Sequence, residues 1–148
     1  MIDKHQKNIA TFIHLSTFSR FIVPLGNFLG PIILWITNKE KSEFIDNHGK
    51  QAINFQMSIL LYTIIIGTLS VPFFIFKLFH GIDFIDFNGF HDFHINIGKP
   101  SPLLYIGGGL GALCIIGFIL ELAFIVIASL KARDGEAYHY PLTINFLK

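Results

Sequence analysis

Ionisable side chains are scarce within the apolar stretches of this chain, so those that do occur there are the first candidates for chemistry. Arg20 and Glu121 are two such residues, and His14 is a third. Placing a charge at the hydrocarbon midplane costs at least ~2.5–3.5 kcal/mol on insertion scales, so each needs a reason to be there. At ~1.5 Å per residue, Arg20 lies about 16 Å in from Ile9 and Glu121 about 15 Å in from Lys131. Equal depths permit an ion pair between the first helix and the last span. Such a pair serves either as a proton or ion relay or as a structural lock on helix register. A polar path near His14, Arg20, Asn27 and Glu121 is the arrangement that transport would require.

A second group of candidates lies between the later apolar runs. His80, His91 and His94, with Asp83, Asp86 and Asp92, are side chains that bind divalent metal. Phe87-Asn88-Gly89-Phe90 is a two-residue hairpin signal, because Asn-Gly suits the positive φ of a type I′ turn. That register sets Phe84 opposite Phe93, Asp86 opposite His91 and Asp83 opposite His94. The two Asp–His pairs then fall on opposite faces, which counts against a single ion collecting both. Solvated cross-strand pairs are the default, and a metal-sensing loop is the alternative.

The remaining candidates read as structure. Gly107 and Gly111 stand at GxxxG spacing, which suits close helix packing within the chain or between copies. Cys114 is a packing residue, and as the lone cysteine it excludes an internal disulfide and a cysteine-based zinc site. His48, with Asp46 and Asn47, reads as a polar start to a helix. The sequence shows no nucleophile–base constellation and no phosphate-binding or other cofactor motif. The expectation is a protein without enzymatic activity and without a cofactor.

The elements that position these residues are membrane elements. Of 148 residues, 52% are hydrophobic and only 14% charged, against roughly 25% charged in soluble domains. A net charge of +1 excludes the basic surface of a nucleic-acid binder. The N-terminus lacks a signal-peptide pattern: His14 and Arg20 interrupt the apolar stretch, and no small-x-small cleavage site follows. The chain therefore reads as one membrane domain over 1–148.

Its apolar segments are 9–23, 28–36, 55–79 and 103–130. A full span needs ~20 residues for ~30 Å of hydrocarbon. The first two fall short, so they read as a fold-back hairpin turning at Pro24–Asn27, with its broken backbone buried by protein. That reading puts Lys4, Lys7, Lys39, Lys41, Lys50, Lys131, Arg133 and Lys148 on one side and only Lys77 and Lys99 on the other. The bias places both termini in the cytoplasm. Trp35 then sits near the cytoplasmic boundary.

Ser42 is a plausible N-cap, with Glu43 and Asp46 at the positive end of the helix dipole and Asp46 four residues before Lys50. Phe44, Ile45, His48, Ala52 and Phe55 recur at helical spacing, which predicts an interfacial helix leading into the second span. Residues 80–102 form the outer loop and 131–148 the cytoplasmic tail. Tyr138, Tyr140, Leu142, Ile144 and Phe146 alternate with polar residues, which predicts an extended tail with one apolar face.

Several segments together resemble a family of small bacterial membrane proteins long known as a domain of unknown function. They are His14-Leu15-Ser16, Pro24 through Pro31, Phe44 through Gln56, Lys131 through Glu136, and Tyr140 through Ile144. That family is related to the twenty-kilodalton subunit of the chloroplast inner-envelope import translocon (Tic). The resemblance implies a compact four-helix membrane fold and a distant link to a protein-conducting component. The tail departs from the family pattern, in which relatives often carry a basic residue near His139 and at Asn145.

The expectation is an all-α integral membrane protein of four apolar helices, with an outer β-hairpin and an extended tail. It sits in the bacterial cytoplasmic membrane, with the lipid bilayer as its first partner. Assembly with copies of itself or with larger membrane proteins is the expected role. A translocon-like or transport component, or a metal-binding sensor using the outer-loop histidines, stands as the alternative.

Overall fold

The first helix stops where its sequence turns to hydroxyls. Helix α1 (Lys4–Leu15) begins with Gln6 Oε1 accepting the Asp3 backbone N–H at 3.3 Å. Beyond Leu15, Ser16 and Thr17 donate to the carbonyls of Ile13 and His14, each at 2.7 Å, and Ser19 donates to that of Ser16 at 2.6 Å. Each bond reaches back three residues, the spacing of the tighter winding, and Ser16–Phe21 is a 3₁₀ helix. The first element is therefore not a single helix over 9–23. This computed structural model describes residues 2–79, 85–87, 93–95 and 102–148.

The chain then reverses within residues 22–25, and α2 (Gly26–Ile36) packs back along both α1 and the 3₁₀ helix. Leu25 takes a left-handed φ of 61° at the turn, a conformation that L-residues adopt at a cost. Gly26 makes the close return possible, since a Cβ there would collide with the Ser19 carbonyl. Ile22 and Val23 both donate to the Ser19 carbonyl, and Gly26 donates to that of Val23. Phe21, Ile22, Val23 and Leu25 are exposed, so the tip of this hairpin is an apolar surface.

A short 3₁₀ turn (Lys39–Lys41) leads to α3 (Glu43–Phe79), a single helix of 37 residues. The Phe44 N–H donates to Ser42 Oγ at 3.1 Å, and Asp46 pairs with Lys50 at 2.6 Å. No separate interfacial helix precedes the span. Ile45, His48, Ala52 and Phe55 are buried in the protein rather than laid on a headgroup surface. Their spacing marks the face by which α3 packs. Gly49 on that side lies against the Trp35 indole, leaving no room for a Cβ. Helix α4 (Pro102–Asp134) is likewise continuous.

Two three-residue strands, β1 (Ile85–Phe87) and β2 (Phe93–Ile95), pair antiparallel. Their register sets Ile85 opposite Ile95, Asp86 opposite His94 and Phe87 opposite Phe93. It excludes the pairing expected from a two-residue Asn88–Gly89 turn, which would have set Ile85 opposite Asp92. Residues 80–84, 88–92 and 96–101, with His80 and His91, lie outside the described residues.

Contacts divide the chain into two units, Met1–Tyr62 with Leu120–Lys148, and Thr63–Ile119. The first holds the core. One cluster joins Phe55, Ile125, Ala128 and Tyr140, and another joins Ile13, Ile45 and Ala52. Ala10, Ala52, Ala128 and Ala132 are fully buried. Small residues at these positions let helix backbones approach closely, which is how helices gain packing energy in lipid. Lys7 Nζ donates to the Asp134 carbonyl at 3.2 Å, so the start of α1 lies beside the end of α4. The second unit is described along its helices, where Ile64, Leu69, Leu113 and Ile115 are exposed. A Cβ at Gly108, Gly109 or Gly111 would meet no atom of the described residues within 4 Å.

Among the described residues, two helices are long and apolar enough to cross a membrane, Glu43–Pro72 and Gly107–Asp134. Helix α2, at 11 residues, is about 16 Å long and falls short of a full span.

Glycine substitutions separate these environments. Gly26→Ala is expected to destabilise the protein by about 1–3 kcal/mol, as overpacking does. Gly108→Ala, with open space around it, should be neutral or stabilising by roughly 0.5–1 kcal/mol. Unfolding in detergent micelles with each purified variant checks both.

Candidate functional site

The polar side chains of the first unit gather in clusters along the faces where its elements meet. The most buried cluster joins α1, α3 and the tail. His14 Nε2 lies 2.8 Å from His48 Nδ1, and the Tyr140 hydroxyl lies 2.9 Å from His14 Nδ1. The Tyr140 ring stacks on Phe55 with centroids 4.1 Å apart and planes 11° from parallel. Phe44 meets the His48 ring edge-on at 4.4 Å.

The distances alone set the direction of none of these protons, but donor arithmetic does. The Tyr140 phenol is an O–H donor at neutral pH. Its hydrogen has His14 Nδ1 as acceptor. His14 then carries its own hydrogen on Nε2 and donates to His48 Nδ1, leaving the His48 hydrogen on Nε2. That last nitrogen is buried and has no partner with hydrogen-bond geometry, although the Glu136 backbone is near. The chain of donors runs from the tail to α3 and ends there.

Arg20 and Glu121 form a second cluster, with Arg20 Nη1 bonded to Glu121 Oε1. Glu121 is buried, and its partner is 25% exposed. The 3₁₀ winding of Ser16–Phe21 carries Arg20. Asn27, at the start of α2, donates through Nδ2 to Gln56 Oε1 at 2.8 Å, and Gln56 Nε2 is buried without a partner. Among the described residues, His14, Arg20, Asn27 and Glu121 thus belong to three separate clusters rather than one connected path. Trp35 Nε1 donates to Asp46 at 2.8 Å, tying the end of α2 to the start of α3.

A further set escaped the sequence reading. Asn54, Ser58 and Tyr62 recur every four residues on α3 and bind the backbone of the tail. Asn54 is doubly engaged: its Nδ2 donates to the Leu147 carbonyl at 3.0 Å, and its Oδ1 accepts the Leu147 N–H at 2.8 Å. Ser58 Oγ accepts the Ile144 N–H at 2.9 Å, and the Tyr62 hydroxyl donates to the Leu142 carbonyl at 2.7 Å. The i, i+4, i+8 spacing of polar residues within an apolar run was the signal that could have found them.

The tail is correspondingly not one extended strand with a single apolar face. Leu142 has a φ of 59° and breaks the alternation. Tyr140 is buried, whereas Leu142, Ile144 and Phe146 are exposed. Among the described residues no group of three or more His, Cys, Asp or Glu side chains is placed to hold a metal ion. Gly107 is half-buried and Cys114 exposed.

A family model described as the magnetosome magnetite crystal formation protein family matches residues 5–147. The chain belongs to that family. The comparisons with curated proteins and with solved structures found no match.

The two buried clusters predict different costs. Tyr140→Phe keeps the stack on Phe55 but leaves His14 Nδ1 unpaired, and should cost about 1–3 kcal/mol. Glu121→Gln leaves an uncompensated Arg20. Because Arg20 is partly exposed, the loss should fall at the low end for a broken ion pair, about 3 kcal/mol, and the double change Arg20→Met with Glu121→Leu should recover most of it. Unfolding of each variant in one detergent gives both comparisons.

Proposed function

We propose that this member of the magnetosome magnetite crystal formation family is a non-enzymatic, multi-pass structural component of a bacterial cytoplasmic membrane. Its polar residues hold the fold together, and its apolar surface faces lipid. The observation that carries this reading is how the buried polar groups are used. Arg20 bonds to Glu121, His14 to His48 and Tyr140, and Asn27 to Gln56, with His48 Nε2 and Gln56 Nε2 left over. Groups committed in this way lock helices together and need neither substrate nor cofactor.

The proposed topology has the first two helices as a re-entrant hairpin, α3 and α4 as spans, and both termini in the cytoplasm. Three features support it. The apolar tip at Phe21–Leu25 suits hydrocarbon, the Ile22 and Val23 amides have internal partners, and the Lys7 bond to the Asp134 carbonyl is in keeping with the start of α1 and the end of α4 on one side. Lys39, Lys41 and Lys50 follow the same end of the hairpin, in keeping with a positive cytoplasmic face. Assembly with further copies, through the open Gly108–Gly111 face, belongs to the same proposal.

A second reading follows from the family's description, which names magnetite crystal formation in magnetosomes. For this chain its support is the sequence between α3 and α4, where His80, Asp83, Asp86, His91, Asp92 and His94 are concentrated. Carboxylates and imidazoles suit a divalent cation, so this loop is the proposed metal or mineral contact. Calorimetric heat with zinc or ferrous iron that disappears on His91→Ala supports it, and absence of heat removes it. The relation to the import translocon subunit rests on the sequence motifs, and a transport role is the rival it implies.

Topology and function are tested together. A reporter fused after Lys148 should read as cytoplasmic and one after Lys99 as external; the same signal from both overturns the arrangement. Purified protein in liposomes should conduct neither ions nor peptide. Flux that is lost on Glu121→Gln would replace the structural role with transport.

A further inference from the structure

The C-terminal tail carries more hydrogen bonds to α3 than a segment lying in water needs. Asn54, Ser58 and Tyr62 supply four bonds to the backbone of Leu142, Ile144 and Leu147. All three side chains sit within Glu43–Pro72, the helix apolar enough to cross a membrane. Water would satisfy a tail backbone without help. Hydrocarbon would not, and each unpartnered peptide group there costs several kcal/mol.

The order of these contacts gives the path of the tail. Gly135 leaves α4 beside the Lys7 side chain. Tyr140 reaches Phe55 and His14, Leu142 reaches Tyr62, Ile144 returns to Ser58, and Leu147 returns to Asn54. Tyr62 lies about 18 Å beyond Lys50 along α3 at ~1.5 Å per residue. The tail therefore runs inward beside α3, turns at Pro141–Leu142 and comes back. The left-handed Leu142 at 59° makes that turn, and Pro141 contributes no N–H that would need a partner.

The outward side of this loop is apolar at Leu142, Ile144 and Phe146, with His139 and Asn145 also exposed. Leu142 is 82% exposed, Ile144 41% and Phe146 43%. We propose that residues 138–147 form a second re-entrant segment, with Leu142, Ile144 and Phe146 seated against lipid acyl chains. Lys148 then returns to the headgroups on the side from which the tail entered. The inference rests on α3 being a membrane span and deepens that reading. It replaces an extended cytoplasmic tail with an intramembrane loop whose backbone partners are side chains of a helix.

The test is fluorescence quenching in reconstituted vesicles, using single cysteines in a Cys114→Ser background. Bimane is attached at Leu142→Cys or Phe146→Cys, with Leu60→Cys as the control on α3. Brominated phosphatidylcholine should quench all three positions, and aqueous iodide should quench none of them. Iodide quenching at 142 and 146, with 60 still quenched by brominated lipid, overturns the tail proposal and leaves the span intact. Iodide quenching at 60 overturns the span and the tail proposal together.

A second pair of variants probes the cause. Asn54→Leu with Ser58→Ala should remove lipid quenching at 146 and admit iodide, while position 60 stays lipid-quenched. Unchanged lipid quenching at 146 in that double variant would overturn the claim that these side chains seat the tail.

Discussion

A peptide group packed away from water must find its partner inside the protein, and the reversal between α1 and α2 is arranged around that requirement. Ser19 is the clearest case. Its carbonyl accepts the N–H groups of Ile22 and Val23, while its hydroxyl lies 2.6 Å from the carbonyls of both Ser16 and Gly26. A hydroxyl has one hydrogen, so it alternates between those two acceptors. One short residue thus serves both sides of the reversal, and the absence of a side chain at Gly26 lets the second helix come close enough to use it. The fold-back, the docking of α2 and the placement of Arg20 all follow from that closure.

Polar side chains do for the tail what Ser19 does for the hairpin. An asparagine offers a donor and an acceptor together, so Asn54 imitates the edge of a strand for Leu147. Ser58 accepts from Ile144 while giving its own hydrogen to the Asn54 carbonyl at 2.7 Å. Helix α3 keeps its own hydrogen-bond ladder and still supports a neighbouring segment that has none.

Particular residues show how far the sequence could be read. Pro24, Gly26 and Gly30 mark the reversal plainly, because few other residues permit it, and α2 begins at Gly26 where 28 was expected. The ion pair of Arg20 and Glu121 was open to depth arithmetic because rise per residue is nearly constant in helices. The 3₁₀ winding was not legible, since whether Ser16, Thr17 and Ser19 bond back to the backbone depends on what packs against them. The tail's alternation suggested a flat strand because a period of two carries no information about one left-handed residue in its midst. His48 read as a polar helix start, since its partners lie far off in sequence: His14 is 34 residues away, and Tyr140 is 126 from His14. In β1 and β2 the Asn88–Gly89 motif misdirected the register, which sets Asp86 opposite His94.

The distances along the chain explain why these polar contacts are present at all. In lipid, an apolar helix face gains little by turning toward protein, because acyl chains are as apolar as leucine. Leu60, Ile64 and Leu113 are exposed for that reason and at little cost. Apolar packing alone would leave the rotation of each helix, and the choice of neighbour, weakly determined. Buried histidine, carboxylate and amide groups remove that freedom, since any arrangement that separates them leaves a polar atom unpaired in hydrocarbon. His14 can meet both His48 and Tyr140 only when α1, α3 and the tail are assembled in one way. The few polar residues of the first unit therefore act chiefly by making its alternatives unfavourable.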